Sequence, residues 1–165
     1  MKILDIGVFH GAFTDTCLRL FGHTLEMVLV EANPALIPNL EIKYKNNNNI
    51  TILNAVMAKD NNVLVDFYVS DAGTVSTAST DWIYKSRFAN ADGCGWHDPI
   101  KINSRSLDSL INEFGEFDVI KIDVEGYELE VLKGLTKKTK EICFEWAEEE
   151  YEKINKTVAH LESIG

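Results

Sequence analysis

Proline and cysteine are scarce, with three of each in 165 residues, while 45% of the chain is hydrophobic. So little proline beside so much apolar material excludes a disordered or proline-rich chain. The cysteines, Cys17, Cys94 and Cys143, have no close paired spacing, and their odd number argues against a secreted disulfide framework. Reduced thiols are expected, with Cys17 in an apolar helical pattern and Cys143 in an apolar strand pattern as core residues, and Cys94 in a loop. No apolar run approaches the ~18 residues of a membrane span. The N-terminus lacks a basic region followed by an apolar stretch, so a cytoplasmic protein is expected. Positive charge is also short: 16 Lys and Arg against 26 Asp and Glu give a net charge of −10. That balance opposes non-specific binding of nucleic acid or an anionic membrane, and leaves room for a neutral or cationic partner. A chain of this size buries roughly two thirds of its extended surface. One domain over residues 1–165 is therefore expected, with neither disulfides nor a structural metal needed to hold it.

Strands and helices alternate along that domain. Ile3 to Phe9 reads as a strand, followed by a glycine turn and a helical pattern carrying Phe13, Cys17, Leu18 and Phe21. A second strand, Leu25 to Val30, ends at Glu31, and Asn33-Pro34 predicts the start of a helix running to about Lys45. Ile50 to Met57 reads as a third strand, with Asp60-Asn61-Asn62 as a hairpin turn and Val63 to Val69 as its return. From Ser70 to Pro99 the pattern dissolves into small polar residues and aromatics, the composition of a lid over a site and equally of a loop that packs down. Order resumes at Ile100, with a capping signal at Ser106, a buried-type strand Phe117 to Ile122, a helix from Tyr127 to Lys133, a strand Ile142 to Trp146 and a final acidic helix. This alternation calls for an α/β fold, a mostly parallel sheet with helices on both faces and its ligand sites at the carboxyl ends of the strands.

Those strand ends carry the chemistry. Asp5, Gly7, Phe9, His10 and Gly11 form an acid-and-glycine turn into the first helix, where glycines let backbone approach a ligand. Phe9 stands where the second glycine of a dinucleotide fingerprint belongs, which disfavours pyrophosphate and with it a nicotinamide-dependent oxidoreductase. Glu31, twenty residues beyond Gly11, is placed to accept hydrogen bonds from both hydroxyls of a ribose. Each acid alone could equally cap a loop, but together with the glycines they indicate a nucleoside ligand without a pyrophosphate.

Five segments resemble the FkbM-type S-adenosylmethionine-dependent methyltransferases: Leu4 to Thr14, Val30 to Pro34, Leu53 to Val56, Ser106 to Leu110, and Phe117 to Gly134, which reads FDVIKIDVEGYELEVLKG. The last segment is the most specific. The resemblance implies a Rossmann-like doubly wound fold of the class I methyltransferase type, S-adenosylmethionine as cofactor, and O-methylation of a sugar, polysaccharide or related small hydroxyl compound. By position it implies that Asp5, Gly7 and Gly11 surround the methionine part of the cofactor, with Phe9 and His10 of the same turn also among the cofactor-binding residues, and that Glu31 holds the ribose. Ala32, Asn33, Asn54 and Ala55 would then border the adenine, and Asp123 the sulfonium and the acceptor. The chain stops where a class I methyltransferase begins its last hairpin, so a missing C-terminal hairpin and a homo-oligomer formed through the exposed sheet edge are expected. A non-catalytic cofactor-binding or assembly module of the same fold is the alternative.

Methyl transfer to oxygen needs alignment and a group that takes the acceptor's proton. Asp123 is the first candidate, with Glu125 and the lid residue His97 behind it. Asp123 and Glu145 end neighbouring strands and could share a divalent cation, but no third ligand is apparent and no metal is predicted. Lys121 reads as a strand residue reaching solvent, and Glu128 and Glu130 as acids favoured by the first turn of a helix. Ser76 and Thr77 are placed to hydrogen-bond the cofactor, and the lid's Trp82, Tyr84, Arg87, Phe88 and Trp96 to stack on a sugar.

Overall fold

The computed structural model describes residues 1–165, the side chain of His23 excepted. Its elements are β1 (Lys2–Ile6), α1 (Ala12–Phe21), β2 (Glu26–Glu31), α2 (Ile37–Tyr44), β3 (Ile50–Asn54), β4 (Val56–Met57), β5 (Leu64–Phe67), α3 (Thr80–Lys85), β6 (Ile100–Arg105), α4 (Leu107–Phe114), β7 (Val119–Ile122), α5 (Glu128–Leu132), β8 (Ile142–Phe144) and α6 (Tyr151–Ile164). Five strands form a parallel sheet in the order β3-β2-β1-β7-β8. The order reverses beside β1, so the first two connections leave β1 in one direction and the later ones in the other. The crevice at such a switch point is where open α/β sheets bind ligands.

Alternation along the strands supplies both faces. Ile3, Met27 and Leu29 turn to Cys17 of α1 and to Leu40 and Tyr44 of α2. Leu4, Ile6, Val28, Val30, Ile120 and Ile122 turn the other way, to Leu107 and Leu110 of α4 and Val131 and Leu132 of α5. Each of these buried side chains contributes roughly 1.5–3 kcal/mol relative to exposure. The helices that supply the covering faces are capped locally: Ser106 accepts the Ser109 amide at 3.2 Å and opens α4, as its sequence indicates.

Four local expectations change. Asn33-Pro34 forms a turn in which the Asn33 side chain accepts the Ala35 amide at 3.0 Å, and α2 starts only at Ile37. Asp60-Asn61-Asn62 does not make a hairpin with the preceding strand. Buried Ser104 on β6 gathers that turn, accepting the Val63 amide at 3.0 Å and donating to the Asp60 carbonyl at 2.6 Å. β5 therefore pairs antiparallel with β6, while β4 pairs parallel with β6, in a second three-stranded sheet. Cys143 is exposed, because β8 is an edge strand that pairs only with β7 among the described residues.

The segment 70–99 is anchored. Its bridges join Tyr68 to Thr77 and Ser70 to Trp96, and α3 is capped by Ser79, which accepts the Trp82 amide at 3.2 Å. The aromatics serve this packing. Trp82 is buried with its ring 5.9 Å from that of Phe88, and the Trp96 indole donates to the Val75 carbonyl at 3.0 Å. No helix among the described residues is long and apolar enough to cross a membrane.

Candidate functional site

A cavity of about 440 Å³ opens at the carboxyl ends of β1, β2 and β7, within the size range of small-molecule sites. Its wall begins with the turn between β1 and α1. Gly7 and Gly11 hold φ of 77° and 81°, and Phe9 between them is also left-handed at 50°. A Cβ on Gly7 would lie 1.8 Å from the Asp123 carbonyl oxygen, and one on Gly11 would lie 2.0 Å from the Tyr44 hydroxyl. Glycine is required at both by close approach as well as by φ. Tyr44 holds the turn from α2 by donating to the Gly11 carbonyl at 3.0 Å, and Lys43 donates to the His10 carbonyl at 2.6 Å.

Glu31, 6% exposed, lines the same cavity. One carboxylate oxygen accepts the Asn33 amide at 2.7 Å and the other the Phe9 amide at 2.8 Å. Burial pushes its carboxyl above the ordinary range, and the two amide bonds oppose that rise. Each oxygen accepts only one of these bonds, so lone pairs remain for a ligand's hydroxyls.

Opposite Glu31, the end of β7 gathers acids. One carboxylate oxygen from each of Asp123, Glu125 and Glu145 lies within 4.8 Å of the others. Glu125 is pushed up to about 8, first by burial and then by the charges of Glu145, Asp123 and Glu128. Glu145 is raised by burial and by its hydrogen bond and charge contact with Asp123. Glu125 and Gly126 are both left-handed, at 55° and 84°. Two long-range bonds clamp them: buried Thr77 donates to the Glu125 carbonyl at 2.7 Å, and Lys153 of α6 donates to the Gly126 carbonyl at 3.1 Å. Trp82 closes over Gly126, its ring 2.8 Å from where a Cβ would stand.

Of the residues singled out from sequence, Gly7, Phe9, His10, Glu31, Ala32, Asn33, Ala55, Asp123 and Glu125 line the cavity. Asp5 lies beneath it, fully buried, accepting the Thr14 hydroxyl at 2.8 Å and facing Lys121 at 3.2 Å. Gly11 and Asn54 support it from behind; the Asn54 amide donates to the Glu31 and Ala32 carbonyls at 2.9 and 3.0 Å. Glu145 reaches Asp123 but is not part of the cavity wall. His97 is not brought to the cavity: it is exposed and paired with Asp71 at 2.9 Å. Ser76 lines the wall, whereas Thr77 is spent on Glu125; none of Trp82, Tyr84, Arg87, Phe88 and Trp96 lines it.

Lys121 corrects the reading of a solvent-directed side chain. Its Nζ donates to the Gly7 carbonyl at 2.8 Å and lies 3.2 Å from Asp5 and 3.3 Å from Asp123, with the side chain 13% exposed. The signal was present as a lysine between Ile120 and Ile122 in a buried-type strand, since a charge there must find a partner. Glu128, read as a helix-dipole acid, is buried and accepts the Val124 amide at 3.0 Å, closing the acid-bearing turn.

The chain matches the family model described as Methyltransferase FkbM domain over residues 5–164. Among solved structures it is similar to a methyltransferase FkbM from Methylobacillus flagellatus KT, with 19% identity and a TM-score of 0.52, covering 81% of this chain and 28% of that one. It is also similar to a precorrin-6y C5,15-methyltransferase from Geobacter metallireducens GS-15, with 14% identity and a TM-score of 0.52, covering 100% of this chain and 62% of that one. At these identities the structural likeness speaks for the fold. Comparison with curated proteins returned no match.

Proposed function

Because the chain belongs to the methyltransferase FkbM domain family, we propose that its cavity binds S-adenosylmethionine and that the protein methylates a hydroxyl of a sugar, polysaccharide or related small metabolite. The observation that carries this reading is the pairing of two acidic ends in one cavity, Glu31 on one side and the Asp123–Glu125 turn on the other. Glu31 fits a ribose: its oxygens are fixed by the Phe9 and Asn33 amides and keep lone pairs for two adjacent hydroxyls. The apolar wall beyond it, with Ala32, Leu36, Ala55, Val56 and Met57, suits a flat base. Phe9 in the glycine turn leaves no pyrophosphate cradle.

When bound, S-adenosylmethionine supplies a methyl group on a positively charged sulfur, open to in-line attack by an oxygen. The turn at Gly7 and the end of β7 would hold the reacting end, and their close approach at Asp123 keeps the two in register. Glu125 takes the proton of the acceptor hydroxyl. It lines the cavity, its carboxyl makes no hydrogen bond to a described residue, and its value of about 8 suits a base working near neutrality. Asp123 and Glu145 raise that value by their charge, and the cluster as a whole accepts hydrogen bonds from a hydroxyl-rich acceptor, with Thr74 and Ser76 across the wall. The three carboxylates could also offer oxygen ligands to a divalent cation, and the base role assigned to Glu125 does not require one.

Two measurements test the reading. Calorimetric titration should show S-adenosylhomocysteine binding and no binding of NAD, and a labelled-methyl assay over a panel of sugars and small alcohols should identify an acceptor. Binding of NAD in place of S-adenosylhomocysteine would overturn the cofactor assignment. Cofactor binding with no transfer to any hydroxyl compound would favour the non-catalytic module.

A further inference from the structure

We propose that Lys121 is the residue that recognises the α-carboxylate of the cofactor's amino-acid end, with Asp123 beside it taking the α-ammonium; this rests on the cofactor reading above. The amino-acid end carries a negative and a positive group on one carbon. The cavity wall at the end of β7 presents the inverse arrangement, the Lys121 ammonium and an Asp123 carboxylate oxygen 3.3 Å apart, both on residues that line the cavity. Among the described residues, Lys121 is the only lysine or arginine in that wall.

Its position is set from beneath. The Gly7 carbonyl at 2.8 Å, the Ile6 carbonyl at 3.3 Å and the buried Asp5 carboxylate at 3.2 Å hold the ammonium. A cation tethered in this way is ordered before any ligand arrives, which lowers the cost of binding one. The pair formed with Asp5 is closed off from solvent, whereas Asp123 is 42% exposed in its side chain, so the Lys121–Asp123 pair is the part a ligand can reach. Helix α1 starts at the same wall, with Ala12 and Phe13 lining it and no side chain capping Gly11, and its N-terminal dipole has the sign that favours a carboxylate.

The test compares S-adenosylhomocysteine with 5′-methylthioadenosine, which keeps the adenine, ribose and thioether and lacks the amino-acid carbons. Titrations use the native protein and the double variant Asp5→Asn/Lys121→Met, which removes the buried pair and leaves only the partly exposed Asp123 without its partner. The double variant should lose about tenfold or more in affinity for S-adenosylhomocysteine, the size of a charge-assisted hydrogen bond. Its affinity for 5′-methylthioadenosine should change less than threefold. Equal losses for both ligands would make Lys121 purely structural, and an unchanged affinity for S-adenosylhomocysteine would overturn the proposal. Should the variant fail to fold, the native protein decides alone: decarboxylated S-adenosylhomocysteine should bind about tenfold or more weakly than the parent, and equal affinity would overturn the assignment. A native protein that binds neither S-adenosylhomocysteine nor 5′-methylthioadenosine would instead remove the cofactor reading itself.

Discussion

Asp5 and Lys121 are register partners on adjacent parallel strands, and their side chains meet at 3.2 Å with Asp5 fully buried. The pair joins the first strand to the acid-bearing strand beneath the cavity floor. Burial pushes the Asp5 carboxyl up, and the lysine ammonium pulls it back. Neither charge belongs in that interior without the other.

Asp5→Ala should therefore destabilise the protein by about 1–3 kcal/mol, since it removes the buried partner of the Lys121 ammonium and the acceptor of the Thr14 hydroxyl while the partly exposed Asp123 still faces the lysine. Asp5→Asn/Lys121→Met should cost less than the single change. Urea unfolding of both variants checks this, and a single variant as stable as the parent would mean that water already reaches the pair.

Glu31→Ala should weaken S-adenosylhomocysteine by about 1.5–3 kcal/mol, the range for a hydrogen bond to a charged group. The effect should disappear for an adenine analogue without ribose, because only the ribose hydroxyls address this carboxylate. Calorimetry with the two ligands distinguishes loss of the ribose contact from collapse of the turn held by the Phe9 and Asn33 amides.

Glu125→Gln should lower turnover by about two to four orders of magnitude, as expected for a positioned general base, and leave S-adenosylhomocysteine affinity nearly unchanged. In the native protein the turnover rate should rise with pH to a midpoint near 8, where the Glu125 carboxyl loses its proton. A pH–rate profile that is flat between about 6 and 9 would move the base role to Asp123, the first candidate from sequence.

Stability should depend on pH through the same turn. Burial, aided by neighbouring carboxylates, raises Glu125 to about 8 and Glu128 to about 7 from an ordinary value of 4.5. The native state therefore binds more protons than the unfolded chain between those limits, and stability falls as pH rises from about 4.5 to about 8. The midpoint of thermal unfolding should drop across this window in the native protein. It should drop less in Glu125→Gln and Glu128→Gln, which cannot lose the proton, and equal slopes in all three would show that other groups govern the dependence.

The alternation of strands and helices, the Ser106 cap, the two required glycines and the acid at the end of β2 were all legible in the chain, because each is written in local spacing. A period of two or of 3.6 residues, a capping hydroxyl and a glycine turn act within a few positions of themselves. What only the tertiary structure decided lies between residues far apart in sequence. Ser104 drew the 60–62 turn onto β6 instead of leaving a hairpin, and the position of β8 at the sheet edge exposed Cys143. The aromatics of segment 70–99 were packed away from the cavity, while Thr77 and Lys153 clamped the turn that presents Glu125. Lys121 is the clearest case. Composition marks it as a charge in an apolar strand, but whether such a charge snorkels to water or is held by an acid depends on which strand lies alongside. That neighbour is β1, 116 residues away between Asp5 and Lys121, and pairing at such a separation is set by the order of strands in the sheet, which no local pattern encodes.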